Sequence, residues 1–167
     1  AENAVAELYR VKQRPREKKC AILLADPEDA SRHVDDLPPE ARALLRTFWP
    51  GPLTIVLDGP DAVGLRCPDY GPTRQMLRAA DVPVLAPSAN ISGQPPARSA
   101  GETLEVFGGT ISAVLDGGEV REGVASTVVR FQSGRMRVLR AGALSLDRIR
   151  GALREAGLEP EIEDPAG

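Results

Sequence analysis

The 167 residues are enough for one ordinary domain with a real core and too few for a multidomain machine. With 42% apolar and 27% charged residues, the composition is that of a folded globular chain and speaks against intrinsic disorder, a collagenous repeat or a disulfide-stapled mini-fold. Acids number 24 against 21 bases, a formal charge of -3, so no overall basic field draws the chain to nucleic acid or anionic lipid, and any RNA contact needs a local patch.

In chain order, Val5, Leu8 and Tyr9 recur at helical spacing and predict a helix over residues 3 to 12, ending in the basic loop KQRPREKK. Cys20 to Ala25 is a short apolar run closed by Asp26-Pro27 and reads as a buried strand. Pro38-Pro39 opens a second helix with Ala41, Leu44, Leu45 and Phe48 on one face. Trp49-Pro50-Gly51-Pro52 is a rigid turn into Leu53 to Leu57, whose β-branched, apolar character predicts a central strand. Val63 to Cys67 reads as a further strand, Thr73 to Ala80 as a helix and Val82 to Ala86 as a strand that exits through PSANISGQPP.

A helix from near Ser99 to Phe107 and a strand over Ala113 to Asp116 follow, the latter before the turn Gly117-Gly118. Ser126 to Phe131 and Met136 to Leu139 read as a hairpin across Gln132-Ser133-Gly134. Leu146, Ile149 and Leu153 mark a last helix with Gly157 at its end. Residues 1–157 are read as one domain, and the acidic, proline-containing tail 158–167 is expected to fray. The hairpin breaks strict strand–helix–strand order, so an α/β fold with a mixed sheet and flanking helices is predicted.

The chemistry-bearing residues are few. Cys20, Cys67 and His33 have no metal-ligand spacing and read as structural. This favours a reduced, metal-poor chain in the cytoplasm, as does the lack of a signal-peptide layout or a membrane-length apolar run. No glycine-rich nucleotide loop of the two common patterns occurs.

Lys12-Gln13-Arg14-Pro15 places two cations on one side of an extended segment, where they clamp an anion or form a solvated cluster with Arg16, Lys18 and Lys19. Pro87-Ser88-Ala89-Asn90 leaves a strand end, a usual place for a ligand, and reads equally as a turn capping itself. Arg66 sits inside an apolar strand and needs either an internal carboxylate or a bound anion. Ser126-Thr127-Val128 and Leu139-Arg140-Ala141-Gly142 are weak signals alone.

In order along the chain, Lys12-x-Arg14-Pro15, Trp49-Pro50-Gly51-Pro52-Leu53-Thr54, Gly64-Leu65-Arg66-Cys67-Pro68, Ala86-Pro87-Ser88-Ala89-Asn90-Ile91-Ser92-Gly93, Ser126-Thr127-Val128 and Leu139-Arg140-x-Gly142 closely resemble the YrdC-like family, the threonylcarbamoyl-AMP synthases. The match spans residues 3 to 143, and the ordered set is far more specific than any one motif.

The resemblance implies a twisted sheet of the YrdC type around an open, cationic cavity. It also implies a nucleotidyltransferase reaction in which L-threonine, bicarbonate and ATP, with Mg²⁺ assisting, give threonylcarbamoyl-AMP and pyrophosphate. That product leads to threonylcarbamoyl-adenosine in tRNA through a downstream transferase complex. By the same resemblance Lys12, Arg14 and Arg140 take the phosphates, Asn90 and Thr54 the nucleotide, and Arg66, Ser88 and Ser126 the threonine and carbamate, with Arg98 or Ser99 reaching a phosphate.

One family feature has no counterpart here. Members carry an upstream strand and a P-T-[DE]-T-x-Y-G-L segment that contributes to the threonine pocket, and this chain matches only from just after it, as a truncated chain or a diverged relative. Other readings are a YrdC-like module making a carbamoyl adenylate from carbamoyl phosphate, and a non-catalytic protein that binds double-stranded RNA or tRNA.

Overall fold

The computed structural model describes residues 2–57, 63–120, 123–132 and 134–163. In chain order the elements are α1 (Glu2–Val11), β1 (Ala21–Leu23), a 3-10 helix (Pro27–Arg32), α2 (Pro39–Phe48), β2 (Leu53–Leu57), β3 (Val63–Arg66), α3 (Gly71–Ala80), β4 (Val84–Leu85), α4 (Ala100–Phe107), β5 (Thr127–Gln132), β6 (Arg135–Arg140), α5 (Leu146–Glu155) and β7 (Glu161–Glu163). They fall into two compact units, residues 1–20 with 85–123 and residues 21–84 with 124–167. Among the described residues no helix is long and apolar enough to cross a membrane.

The second unit is organised by a mixed sheet, as predicted, in the order β4-β1-β3-β2-β5-β6-β7. β2, the predicted central strand, pairs antiparallel with β3 and parallel with β5. Side chains alternate across a strand, so each strand sends every second residue to a common core. Leu53, Ile55 and Leu57, then Leu65, Val129, Phe131, Met136 and Val138, pack with Ala41, Leu44 and Leu45 of α2 and Ile149, Ala152 and Leu153 of α5. The alternate residues of β2, β3 and β5 carry polar and small groups, and the candidate site is built on that face.

The W-P-G-P turn is held on three sides. Trp49 Nε1 donates to the Leu53 carbonyl at 2.8 Å, Gly51 N to the Cys67 carbonyl at 2.9 Å, and Thr127 N to the Pro52 carbonyl at 3.0 Å. These bonds leave few buried backbone groups unpaired and lock the start of β2 against β3 and β5. Thr54 therefore enters the sheet in one register.

Three sequence expectations differ from the structure. Residues 113–116 form no strand: Leu115 is 77% exposed, and Asp116 turns its carboxylate onto the Gly118 N–H at 2.9 Å, a turn that competes with a ladder. The strand over 82–86 shortens to Val84–Leu85, because Pro83 and Pro87 cannot donate to a ladder. The tail does not fray throughout, since Glu161–Glu163 pairs in parallel with β6 and sets carboxylates beside Arg135 and Arg137. Asp164–Gly167 of that tail, and Ser133 of the predicted hairpin turn, lie outside the described residues.

Asp26 joins the 3-10 helix to α3. Arg78 donates to both of its oxygens at 2.9 and 2.6 Å, and Arg74 donates to Asp26 at 2.6 Å and to the Ala25 carbonyl at 2.6 Å. The bonds from Arg78, then those from Arg74, hold its carboxyl down from 3.8 to about 2. A carboxyl whose pKa is depressed by folding stabilises the fold above its unfolded value and loses that contribution as pH falls through the folded value. The parent is therefore expected to lose melting temperature between pH 3.8 and about 2, and Asp26→Asn to melt lower at neutral pH with a shallower acid slope, by calorimetry across that range.

Candidate functional site

In the first unit the turn after α1 and the P-S-A-N loop are tied together by Lys12. Its side chain is only 4% exposed, and its ammonium donates to the carbonyls of Ser88 and Asn90 and lies 5.9 Å from the Phe107 ring centroid. Ser92 N returns a bond to the Lys12 carbonyl at 2.9 Å. Burial, then the nearby charge of Arg14, lowers the Lys12 pKa. Gln13 takes a positive φ of 49°, which turns the chain so that Arg14 donates to the Lys18 carbonyl at 2.7 Å and the Lys19 carbonyl at 2.9 Å. Both cations of the K-x-R motif thus brace loops rather than form a solvated cluster.

The loop that Lys12 holds is ordered by its own side chains. Ser88 Oγ donates to Asn90 Oδ1 at 2.6 Å, and Asn90 Nδ2 donates to the carbonyls of Ile91 at 3.0 Å and Gln94 at 2.8 Å. Ser88 remains exposed and Asn90 half-buried, so hydroxyl and amide are fixed yet reachable. Arg98 and Ser99 cap α4: Arg98 N donates to Glu102 at 2.7 Å, and Ser99 Oγ accepts from Glu102 N at 3.1 Å.

In the second unit, register explains how residues far apart in sequence meet. Gly64 lies opposite Ala21 and Val56, and Arg66 opposite Leu23, so Thr54, Val56, Gly64 and Arg66 share the face away from the core. Thr54 pairs with Val128, and Val128 with Arg140. Thr54 Oγ1 and Ser126 Oγ are 2.9 Å apart, and Arg140 donates to the Ser126 carbonyl at 3.0 and 2.8 Å and to its hydroxyl at 3.0 Å. The R-x-G spacing is sterically required here, because a Cβ on Gly142 would lie 2.3 Å from the Ala125 carbonyl oxygen and 2.5 Å from Thr127 N. Only glycine lets the chain leaving Arg140 pass so close to Ser126.

Arg66 completes this cluster and is electrostatically the least satisfied. Its Nε is buried without a hydrogen-bond partner, and burial followed by the charge of Arg140 lowers its pKa. Burial lowers that of Arg140 as well. Among the described residues no carboxylate pairs with Arg66, and the charge that acts on it is that of another cation, Arg140. A buried guanidinium edge without an acceptor beside a second cation is an electrostatic environment that favours an anion.

Among the described residues, one other buried side-chain polar atom lacks a partner, Ser92 Oγ. Ser92 was given no role from sequence, and the signal that marks it is its place two residues after Asn90 in the same motif. Cys67 is fully buried and burial pushes its thiol up to about 11, so it keeps its proton at neutral pH and belongs to the core.

A metal requires a different donor set. Among the described residues no group of three or more His, Cys, Asp or Glu side chains converges, and both clusters offer hydroxyls, an amide and cations, which do not suit Mg²⁺.

The fold is that of an α/β protein with a mixed sheet, whose Thr54 face carries a cluster of arginine and hydroxyl groups. The Sua5/YciO/YrdC family model, described as "Telomere recombination", matches residues 1–142, and the chain belongs to that family. A threonylcarbamoyl-AMP synthase from Pyrococcus abyssi is 36% identical over 172 residues, covering 96% of this chain and 51% of that protein. One from Bacillus subtilis is 29% identical over 179 residues, covering 98% and 52%. The crystal structure of P. abyssi Sua5 complexed with L-threonine superposes with a TM-score of 0.88 at 36% identity, covering 97% of this chain and 50% of that one. The chain thus spans about half the length of these relatives.

Proposed function

We propose that this chain performs adenylate formation on a carbamate, making threonylcarbamoyl-AMP from L-threonine, bicarbonate and ATP in the cytoplasm as the first step of tRNA threonylcarbamoyladenosine modification. The observation that carries the reading is the buried, unpartnered Arg66 Nε beside Arg140, on motifs shared with a family whose curated members bear that name.

The amine of threonine adds to the carbon of bicarbonate with loss of water, and a carbamate oxygen then attacks the α-phosphorus of ATP while the bond to the β-phosphate oxygen breaks and pyrophosphate leaves. Such a displacement needs alignment and charge neutralisation rather than a covalent nucleophile. In this reading Arg66 anchors the threonine carboxylate through its free edge. Arg140 holds Ser126, and through it Thr54, so that a hydroxyl pair faces the carbamate and nucleotide.

The Ser88–Asn90 loop presents its amide to the nucleotide, and Lys12 and Arg14 place positive charge beneath the phosphates by fixing that loop and the turn before it. Arg98 and Ser99, at the start of α4, are candidates for a phosphate contact. Mg²⁺ enters as the counter-ion of the ATP substrate, held by the phosphates rather than by protein carboxylates. The product then passes to a tRNA-modifying transferase.

Mass spectrometry of a reaction containing ATP, L-threonine, bicarbonate and Mg²⁺ tests this reading. A threonine-dependent adenylate is expected from the parent and about 100-fold less from Asn90→Ala, the scale of losing one or two oriented hydrogen bonds in the transition state. Product from carbamoyl phosphate without threonine would replace the proposal with carbamoyl-adenylate chemistry. Binding of double-stranded RNA with a steep salt dependence, and no adenylate from any substrate, would replace it with an RNA-binding role.

A further inference from the structure

A cleft of about 500 Å³ opens between the 3-10 helix Pro27–Arg32 and α2. Its floor includes Leu45 and Trp49, which belong to the same core as Leu53 and Ile55 of β2. Thr54 alternates to the other face, so the cleft lies on the opposite side of the sheet from the Thr54 and Arg66 cluster. Val34 and Leu37, half-buried, complete the apolar floor. The volume falls within the roughly 300–1,000 Å³ usual for small-molecule pockets.

The rim is charged, and the two signs come from different walls. α2 contributes Arg42 and Arg46, four residues apart and so neighbours on one helix face. The 3-10 helix contributes Glu28, and the loop after it Asp35. All four are exposed. Among the described residues the ion pairs nearby are Arg32 with Asp29 and Asp26 with Arg74 and Arg78, and these four enter none. Arg42 donates one N–H to the Leu37 carbonyl at 3.3 Å, and its other donors are open.

The charge pattern selects the occupant. A simple anion in the cleft meets two carboxylates, a simple cation meets two guanidinium groups, and an uncharged apolar molecule desolvates all four charges without pairing them. A molecule with an apolar body and both charges satisfies each wall: its carboxylate accepts from the arginines, its ammonium donates to the carboxylates, and its body covers the floor.

We propose that this cleft is a binding site for a zwitterionic amino acid with an apolar side chain, its carboxylate on Arg42 and Arg46, its ammonium on Glu28 and Asp35, and its side chain over Leu45 and Trp49. Such a ligand rests against the residue whose Nε1 holds the Leu53 carbonyl, at the turn that leads into β2.

Trp49 is the one tryptophan of the chain, so its emission reports occupancy, with isothermal titration beside it. L-phenylalanine and L-leucine are expected to bind saturably to the parent, and glycine, which has no apolar body, is not. L-phenylalaninamide and N-acetyl-L-phenylalanine, each lacking one charge, should bind about tenfold more weakly or worse, the scale of losing charge-assisted bonds. The double variant Arg42→Gln/Arg46→Gln should lose L-phenylalanine to the same extent while binding the amide as the parent does. Its melting temperature should hold, since both side chains are exposed.

A parent that binds neither amino acid overturns the proposal. Equal affinity for L-phenylalanine and its N-acetyl derivative overturns the zwitterion reading in favour of a plain anion site. Binding that survives Arg42→Gln/Arg46→Gln but is lost in Arg66→Met places the amino acid on the Thr54 face and overturns the cleft.

Discussion

Replacing Arg66 by methionine is expected to reduce threonine affinity by about 100-fold or more, the loss of charge-assisted bonds to a carboxylate, while the melting temperature stays level or rises. The two effects run in opposite directions because one feature causes both. The Arg66 Nε is buried without an acceptor and Arg140 lies near, so the fold carries an unpaired polar group whose burial costs about 1–3 kcal/mol. Methionine keeps the apolar stem and removes that cost. Titration calorimetry and thermal melts of the same preparations read both effects. A large fall in melting temperature would show that Arg66 supports the fold, and unchanged threonine affinity would remove it from the site.

Replacing Lys12 by methionine is expected to abolish adenylate formation and loosen the loop over residues 88–94, with a destabilisation of about 1–3 kcal/mol from carbonyls left short of a donor. Lys12 is 4% exposed and its ammonium is bonded to the carbonyls of Ser88 and Asn90, so in the proposed reading its loss acts on the nucleotide through the loop. Lys12→Arg should not restore activity, because a planar fork does not replace a compact ammonium between two carbonyls over a ring. Hydrogen exchange resolved by peptide, beside the product assay, checks this. Loss of product with unchanged protection over 88–94 would make Lys12 a direct phosphate ligand instead of a brace.

Much of the fold was legible because its signals are local. The apolar spacing of Ala41, Leu44 and Leu45, the β-branched run Leu53–Leu57 and the hairpin flanks all correspond to elements of the structure. The misses share a cause in tertiary context. Ala113 to Asp116 has strand-like residues but finds no ladder. Glu161–Glu163 has poor strand residues and becomes β7 because Arg135 and Arg137 on the neighbouring strand supply opposite charges. Propensity decides little where pairing is available or denied.

The sequence by itself determined the alternating helices and strands, the mixed character of the sheet, the ordered motifs and the family they belong to. It could not decide what those motif residues face. Met136, Val138 and Arg140 have the same parity, so simple alternation sends Arg140 toward the core. In the structure Val129 pairs with Val138 but Val128 with Arg140, a register shift that brings Arg140 to the Thr54 face and onto Ser126. Likewise it took the strand register to set another cation, and no acceptor for Nε, beside Arg66. Local pattern fixes which side chains alternate, but facing depends on partner strands tens of residues away, and that pairing exists only in the folded chain.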